Sequence, residues 1–293
     1  MKILITGAGG QLASEIEKIL LDKKCSIGEI DEKFLNCNVI CLDKSSLDIS
    51  DLNQVDKKLK ELMPDIIINC AAYTNVDGCE SNKDLAFKVN SLGPRNIAMI
   101  AQNIGAKVVH ISTDYVYSGE GDTPFCEYDM VNPISVYGRT KLLGDEYVKN
   151  FCDKYFIVRT SWVYGTKGKN FVYTIMNRAK ELGKLKVVND QFGSPTNCED
   201  LAYHILKIMN TEEYGIYNCT GNGICTWYDF ASKIIEFSNI KCDITPCKTG
   251  EFKTVAKRPA YSYLDNMMIR NTVGDEMRNW EEALREFISI VNK

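Results

Sequence analysis

Residues 2–13 read Lys-Ile-Leu-Ile-Thr-Gly-Ala-Gly-Gly-Gln-Leu-Ala, an apolar run that leads directly into a glycine-rich turn. The apolar positions that follow, Leu12, Ile16, Ile19 and Leu20, recur at the helical period. This stretch therefore predicts a buried strand, a tight turn and an amphipathic helix, in that order. Such a unit is the usual beginning of an alternating α/β fold.

Three small residues, Gly7, Gly10 and Ala13, are spaced three apart across this turn. Glycine lets the backbone turn tightly and approach a pyrophosphate, whose charge is stabilised by free N–H groups and by the positive end of the helix dipole. The turn therefore predicts a dinucleotide site in which Gly7 and Gly10 contact the pyrophosphate. An ordinary strand-to-helix turn is the alternative interpretation.

Apolar runs continue to alternate with amphipathic segments up to about residue 165. The predicted strands are 2–6, 38–42, 66–71, 107–113 and 155–160, and the predicted helices are 11–22, 52–63, 84–104 and 135–151. This order is typical of βαβ units. It predicts an α/β fold with a Rossmann-type doubly wound parallel sheet, in which the carboxyl ends of the strands face a ligand crevice.

Beyond residue 165 the spacing becomes irregular, with helices predicted near 199–209, 227–238 and 278–291. We predict a smaller α/β substrate-binding lobe that covers the crevice. The predicted dinucleotide-binding domain comprises residues 1–166 and about 197–222, and the lobe comprises about 167–196 and 223–293.

Composition excludes several classes of function. The 35 basic and 39 acidic residues are interspersed, with a formal net charge of −4, which is not the basic surface of a nucleic-acid-binding protein. No apolar run approaches the roughly 18 residues of a membrane span, and the amino terminus does not read as a signal peptide. The twelve cysteines form no CxxC pair and the histidines are only His110 and His204, so we predict free thiols, no metal site and a reducing cytoplasm.

Further coenzyme contacts are predicted at the ends of the second and third strands. Asp43 could accept a hydrogen bond from a ribose 2′-hydroxyl, whereas Lys44 could pair with a 2′-phosphate, so NAD and NADP both remain open. Asp48 and Ile49 are candidates to flank the adenine. The small residues after the third strand would let a coenzyme lie close to the strand end, and the candidates there are Ala71, Ala72, Tyr73 and Thr74.

Tyr137 and Lys141 lie four residues apart on a predicted helix and so share one face. Thr113 ends the fourth predicted strand at the same crevice edge. We expect Lys141 to lower the pKa of Tyr137 and to bind the nicotinamide ribose, Tyr137 to donate a proton to a carbonyl oxygen, and Thr113 to hydrogen-bond that oxygen. The alternative for the Tyr–Lys pair is a partly buried aromatic beside a solvated lysine.

These residues together resemble the extended short-chain dehydrogenase/reductase superfamily, and within it the dTDP-4-dehydrorhamnose reductases. The resemblance covers nearly the whole chain. Its motifs, in order, are NCAAYTNVD at 69–77, STDYVY at 112–117, GDTPF at 121–125, RTSWVYG at 159–165 and NDQFGSPT at 189–196.

The resemblance implies reduction of the 4-keto group of dTDP-4-dehydro-6-deoxy-L-mannose by NADPH or NADH, which yields dTDP-L-rhamnose for cell-surface polysaccharides. It implies that Gln11 and Leu12 join the coenzyme contacts and that a dTDP-sugar is the partner; a homodimer is left open. The implied substrate contacts are Val76, Thr113, Asp114, Tyr115 and Trp162 around the sugar, and Asn170, Phe171 and Arg258 around the diphosphate.

Two other functions fit a chain of this kind. A nucleotide-sugar dehydratase or epimerase has the same scaffold, but Tyr115 stands where a dehydratase would need a second carboxylate after Thr113 and Asp114. A non-catalytic regulatory subunit, like that of methionine adenosyltransferase, also resembles this superfamily. Tyr137 and Lys141 favour catalysis.

Overall fold

The structure, a computed structural model, describes residues 1–252 and 254–292. The strands are β1 (Lys2–Thr6), β2 (Asn38–Leu42), β3 (Ile66–Asn69), β4 (Lys107–Thr113), β5 (Tyr155–Thr160), β6 (Val163–Tyr164), β7 (Lys184–Val188), β8 (Phe192–Gly193), β9 (Thr196–Asn197), β10 (Gly215–Asn218), β11 (Cys225–Thr226) and β12 (Asp243–Cys247). The helices are α1 (Gln11–Asp22), α2 (Leu52–Leu62), α3 (Val76–Ser81), α4 (Lys83–Phe87), α5 (Gly93–Ile104), α6 (Val136–Phe151), α7 (Phe171–Leu182), α8 (Cys198–Met209), α9 (Trp227–Ser238), α10 (Met267–Thr272) and α11 (Trp280–Val291).

Six strands form the central sheet, in the order β2-β1-β3-β4-β5-β10. Every neighbouring pair is parallel. The chain moves outward from β1 to β2 and then returns to β3 on the other side, so the carboxyl ends of β1 and β3 border a crevice. The predicted doubly wound parallel sheet is confirmed, with β10 as a sixth strand that the sequence did not indicate.

Helices cover both faces of this sheet. Ile3 and Ile5 belong to the core beneath α1 and α8, whereas Leu4 belongs to the core beneath α2 and α5. All three side chains are fully buried. A strand buried on both faces reads as a continuous apolar run, which is why residues 2–6 do not alternate with polar residues.

The rest of the chain builds a smaller α/β lobe. Helices α7, α9 and α11 pack around a core that includes Phe230 and Leu284, beside the parallel pair β7 and β12. Ile269 and Met277 fall within the predicted lobe, yet they pack in the core of the large sheet. The packing therefore does not separate two domains at 166, 197 and 223, and these boundaries remain a prediction.

Residues 84–104 are helical throughout, as predicted, but they do not form one regular α-helix. The chain instead forms α4, a π-helical turn at Lys88–Leu92, and then α5. Pro94 has no N–H for the α-helical bond to the Asn90 carbonyl, so the regular ladder is interrupted there. The Asn90 carbonyl approaches Gly144 of α6 so closely that a Cβ at Gly144 would collide with it. The third strand also ends at Asn69, two residues before its predicted end.

Across the described residues, no helix combines the length and apolar character needed to cross a bilayer. The same residues contain no group of three or more His, Cys, Asp or Glu side chains placed to hold a metal ion. All twelve cysteines are free and are buried or partly buried. The predicted unpaired thiols are confirmed.

Candidate active site

A cavity of about 720 Å³ lies at the carboxyl ends of the central strands, between the sheet and the smaller lobe. The predicted site residues that line it are Gly7, Gly10, Gln11, Leu12, Lys44, Asp48, Ile49, Ala71, Ala72, Thr74, Val76, Thr113, Asp114, Tyr115, Tyr137, Lys141 and Trp162. The coenzyme and catalytic candidates therefore surround one space. The predicted residues outside its lining are Asp43, Tyr73, Asn170, Phe171 and Arg258.

The glycine turn closes one end of this cavity. Gly7 adopts a φ of 74°, and a Cβ there would lie 2.8 Å from the Ala71 nitrogen. The Gly10 N–H donates to the Gly7 carbonyl at 3.1 Å, and helix α1 begins with the bond from the Ser14 N–H to the Gly10 carbonyl at 3.0 Å. The earlier N–H groups of α1 precede that bond and are therefore available to an anion. The turn fits a dinucleotide pyrophosphate.

Replacing Gly7 by alanine tests this close approach. We expect Gly7→Ala to lower the free energy of unfolding by about 2 kcal/mol or more, because the new methyl group meets the backbone at Ala71 in addition to the left-handed φ penalty. Urea unfolding measures the loss. Gly105→Ala is the matched control, since Gly105 has a φ of 75° but open space around its Cβ position. Equal losses in the two variants would contradict the close approach.

At the adenosine end, Lys44 lines the cavity and Asp43 does not. The Asp43 carboxylate accepts hydrogen bonds from the Ser45 hydroxyl at 2.8 Å and from the Ser46 N–H at 2.9 Å. These bonds lower the pKa of Asp43 and commit the carboxylate to its own turn. The geometry therefore favours Lys44 over Asp43 as the group that meets the adenosine ribose.

The catalytic candidates come from two adjacent elements. Thr113 is the last residue of β4 and is buried, and its hydroxyl donates to Asp114 Oδ1 at 2.9 Å. Helix α6 begins after Ser135, whose hydroxyl accepts the Gly138 N–H at 3.1 Å. This cap fixes the first turns of α6, so that Tyr137 and Lys141 both reach the cavity wall beside Thr113.

The expected lowering of the Tyr137 pKa by Lys141 is wrong. Burial raises the pKa of Tyr137 above its usual value, and the neighbouring Thr113 hydroxyl opposes this rise only in part. Lys141 Nζ donates to the Ile111 carbonyl at 2.5 Å and lies 3.4 Å from His110 Nε2. Tyr137 therefore stays protonated at neutral pH, which is the state that a proton donor requires.

The rest of the cavity wall carries acidic and aromatic side chains. Burial raises the pKa of Asp114 to about 6, and its Oδ2 lacks a hydrogen-bond partner among the described residues. Trp162, at a φ of 47°, stacks on Trp227 with ring centroids 3.5 Å apart and an interplanar angle of 9°. A non-glycine residue in the left-handed region is strained, and such strain is found most often where a side chain must face a ligand. The paired indoles form a flat apolar surface at the cavity.

The predicted residues outside the lining have other partners. Arg258 forms a bidentate ion pair with Asp77, at 3.2 Å (Nη1–Oδ1) and 3.0 Å (Nη2–Oδ2). Asn170 caps α7 and donates to Gln11 Oε1 at 3.1 Å. Phe171 packs on Trp227, and the Tyr73 N–H donates to Asn90 Oδ1. Asn170 and Phe171 therefore support two residues of the lining, Gln11 and Trp227, from behind.

Some residues of the lining were not anticipated, among them Leu47, Cys70, Ser112, Lys169 and Trp227. Lys169 is exposed and follows Lys167 and Gly168 immediately before α7. A lysine–glycine loop before a helix is a recognisable signal for an anion site, and it could have identified Lys169. Trp227 carries no comparable signal, because its contact with Trp162 joins distant parts of the chain.

The chain matches one protein family over its whole length. A family model described as the RmlD substrate binding domain matches residues 1–293. The spore coat polysaccharide biosynthesis protein SpsK of Bacillus subtilis (strain 168) is 40% identical over 287 residues, 98% of this chain and 96% of that protein. A crystal structure of a dTDP-4-dehydrorhamnose reductase from Clostridium acetobutylicum ATCC 824 is 48% identical, covers 100% of both chains and has a TM-score of 0.94.

A second crystal structure, of the dTDP-4-dehydrorhamnose reductase from Bacillus anthracis str. Ames in complex with NADP, is 40% identical over 99% of both chains, with a TM-score of 0.92. These likenesses extend over the whole chain, and so include both the sheet and the smaller lobe. The chain belongs to the RmlD substrate binding domain family, that of the dTDP-4-dehydrorhamnose reductases.

Proposed function

We propose that this protein reduces the 4-keto group of dTDP-4-dehydro-6-deoxy-L-mannose with NADPH or NADH and releases dTDP-L-rhamnose. The observation that carries this proposal is the convergence of Thr113, Tyr137 and Lys141 on one cavity, whose far end is the glycine turn. Family membership identifies the class of substrate, and the NADP complex of the Bacillus anthracis relative supports the coenzyme.

Each catalytic candidate has a definite task in this reaction. The bound reduced nicotinamide supplies a hydride to the carbonyl carbon. Tyr137 donates its phenolic proton to the carbonyl oxygen, and the Thr113 hydroxyl hydrogen-bonds that oxygen as negative charge develops. The Lys141 ammonium, on the same cavity wall, is assigned to the nicotinamide ribose.

The residues that follow Thr113 in the sequence disfavour dehydration of the sugar. A dehydratase needs an acid and a base beside the tyrosine to remove water, and here the residue after Asp114 is Tyr115. Burial raises the pKa of Tyr115 above its usual value, so its phenol stays neutral. Carbonyl reduction requires no further acid or base beyond Tyr137.

The proposal also covers the compartment in which the reaction takes place and the oligomeric state of the chain. Twelve free thiols suit the reducing cytoplasm, where nucleotide sugars are made, so we place the reaction there. The sequence leaves formation of a homodimer open, and sedimentation velocity of the purified chain would decide it.

The two-domain division and the coenzyme and substrate contacts named in the sequence analysis are part of the same proposal.

The reaction is tested by mixing the purified protein with freshly generated dTDP-4-dehydro-6-deoxy-L-mannose and following the absorbance of NADPH or NADH. We expect coenzyme oxidation in step with formation of dTDP-L-rhamnose, identified by chromatography. Coenzyme binding without turnover would instead favour a different nucleotide sugar or the regulatory role.

Lys44 is expected to select between the two coenzymes. If its ammonium pairs with the 2′-phosphate, Lys44→Ala weakens NADPH binding about tenfold, a typical size for loss of one exposed charge-assisted contact, and leaves NADH binding unchanged. Fluorescence titration gives both dissociation constants. Lys57→Ala, which removes an exposed lysine of α2, is the control. Equal weakening for the two coenzymes would contradict a phosphate contact.

A further inference from the structure

A row of buried ionisable groups lies behind Lys141, on the side away from the cavity. Lys141 Nζ is 3.4 Å from His110 Nε2, and the same nitrogen of His110 is 3.6 Å from Asp145 Oδ1. Lys141 and Asp145 are one helical turn apart on α6. All three side chains are at most 1% exposed. Of these three residues, only Lys141 has a role in the mechanism proposed above.

Two side chains, Ser112 and Arg159, lie against Asp145, but both are closest to the same carboxylate oxygen. Oδ2 accepts from the Ser112 hydroxyl at 2.9 Å and lies 3.5 Å from Arg159 Nε. Oδ1, which faces His110, lacks a hydrogen-bond partner among the described residues. A buried carboxylate oxygen without a partner costs free energy, so its orientation toward His110 and Lys141 calls for a reason.

His110 is the neutral spacer between the two charges. Thr6 donates its hydroxyl proton to Asn69 Oδ1 at 2.7 Å, and Asn69 Nδ2 lies 3.1 Å from His110 Nδ1. Burial and the adjacent Lys141 hold the pKa of His110 well below its usual value. The neutral ring therefore lies between Lys141 and Asp145 without adding a charge of its own.

The groups that face Lys141 come from every element packed around it. They are Cys70 after β3, His110 on β4, and Tyr137 and Asp145 on α6 itself, and Arg159 on β5 lies beyond them beside Asp145. Burial raises the pKa of Cys70 to about 12, so this thiol is neutral, as are His110 and Tyr137. Burial also raises the pKa of Asp145, but the charges of Arg159 and Lys141 and the Ser112 hydroxyl oppose that rise and favour the carboxylate, so Asp145 is the anion among these groups.

We propose that Asp145 is a positioning residue whose carboxylate, on the far side of the neutral His110 ring, is the countercharge that keeps Lys141 protonated in the reductase. This inference rests on the proposed function for its role in turnover, but its physical content concerns Lys141 alone. Burial lowers the pKa of Lys141 to about 8, and the Asp145 charge opposes that fall. Removing the charge lowers the pKa of Lys141 further, so that the ammonium, and with it the proposed contact with the nicotinamide ribose, is lost at a lower pH.

Titration of Lys141 by NMR tests the inference without substrate. In protein labelled with ¹³C at lysine Cε, one resonance should titrate near pH 8, apart from ordinary lysines near 10.4. Its absence in Lys141→Arg assigns it. In Asp145→Asn we expect the midpoint to fall by about one to two pH units, the usual size for loss of a nearby opposite charge. Glu146→Gln, which removes the exposed acid next to Asp145, should leave it unchanged.

A purely structural Asp145 would give a different result, because Asp145→Asn would then lose stability while the Lys141 midpoint stayed where it was. That unchanged midpoint would overturn the inference. If the single variant does not fold because Arg159 is left unpaired, Asp145→Asn combined with Arg159→Met removes both charges of the pair. The same downward shift is expected there, since Arg159 is not among the groups that set the pKa of Lys141.

Turnover gives the second readout. The alkaline limb of kcat/KM, which reports groups of the free enzyme, should move to lower pH in Asp145→Asn by the same amount as the NMR midpoint. An NMR shift without any wild-type turnover would mean that the proposed reaction is wrong and the countercharge is right. Wild-type turnover, with an NMR midpoint and an alkaline limb that Asp145→Asn leaves unchanged, would mean that the proposed reaction is right and the countercharge is wrong.

Discussion

Tyr137→Phe lowers kcat by about two to four orders of magnitude, the usual contribution of a positioned proton donor, and leaves NADPH affinity unchanged. The variant removes one hydroxyl and keeps the ring, which packs against Val136 and Tyr73 and meets the edge of Tyr115 at a centroid distance of 5.5 Å. Steady-state turnover of the keto sugar and fluorescence titration of NADPH measure the two quantities. The structure gives no reason for the coenzyme surface to change.

Tyr147→Phe is the matched control for that variant. Tyr147 lies on the same helix and packs against Phe151, away from the cavity lining. It should turn over substrate like the wild type. If Tyr137→Phe did the same, another group would have to donate the proton, and the assignment of Tyr137 would be wrong.

Thr113→Val lowers kcat by about two to three orders of magnitude, the effect commonly seen when one preorganised donor to a developing oxyanion is removed. Valine has the shape of threonine and keeps the strand end packed, so the loss isolates the hydroxyl. In the structure the single hydrogen of that hydroxyl is donated to Asp114 Oδ1, while its oxygen accepts the Tyr115 N–H at 3.3 Å; in the proposed reaction the hydrogen turns from Asp114 to the carbonyl oxygen. The hydroxyl therefore lies at the junction of the catalytic wall and the predicted sugar pocket.

Thr113→Ser separates the hydroxyl from the methyl group. We expect the serine variant to retain most of the wild-type kcat, because the donor is still present at the end of β4. Rates measured at saturating coenzyme for the three proteins make the comparison. A serine variant as slow as the valine variant would show that shape, and not hydrogen bonding, is what Thr113 contributes.

The sheet was predictable because buried parallel strands are continuous apolar runs, each followed by an amphipathic helix. The interrupted helix before β4 was not predictable by the same means. Residues 84–104 have a nearly unbroken helical period, and only the Gly93–Pro94 pair signals a break. The position of the π-helical turn depends on the contact between Asn90 and Gly144 of α6, which joins residues far apart in sequence.

The features of the site likewise fall into those that the local sequence pattern identifies and those that depend on contacts between distant residues. Gly7, Thr113, Tyr137 and Lys141 lie at strand ends and helix starts, positions that the parallel sheet brings together, so local pattern was sufficient to identify them. Arg258 was chosen for its charge, but Asp77 pairs with that charge. The pKa of Tyr137 depends on burial and on the direction in which Lys141 points, neither of which is visible in a spacing of four residues.

Hydride transfer to the sugar is most directly measured with NADPH that carries deuterium at the transferable position of the nicotinamide. The proposed reaction puts one deuterium on C4 of the rhamnosyl product for each NADPH consumed, which mass spectrometry and proton NMR of the purified dTDP-L-rhamnose would show. A dehydratase or an epimerase returns its hydride to the sugar within each cycle and consumes no coenzyme. Sugar product without deuterium at C4, or sugar conversion without loss of NADPH, would contradict the reductase assignment.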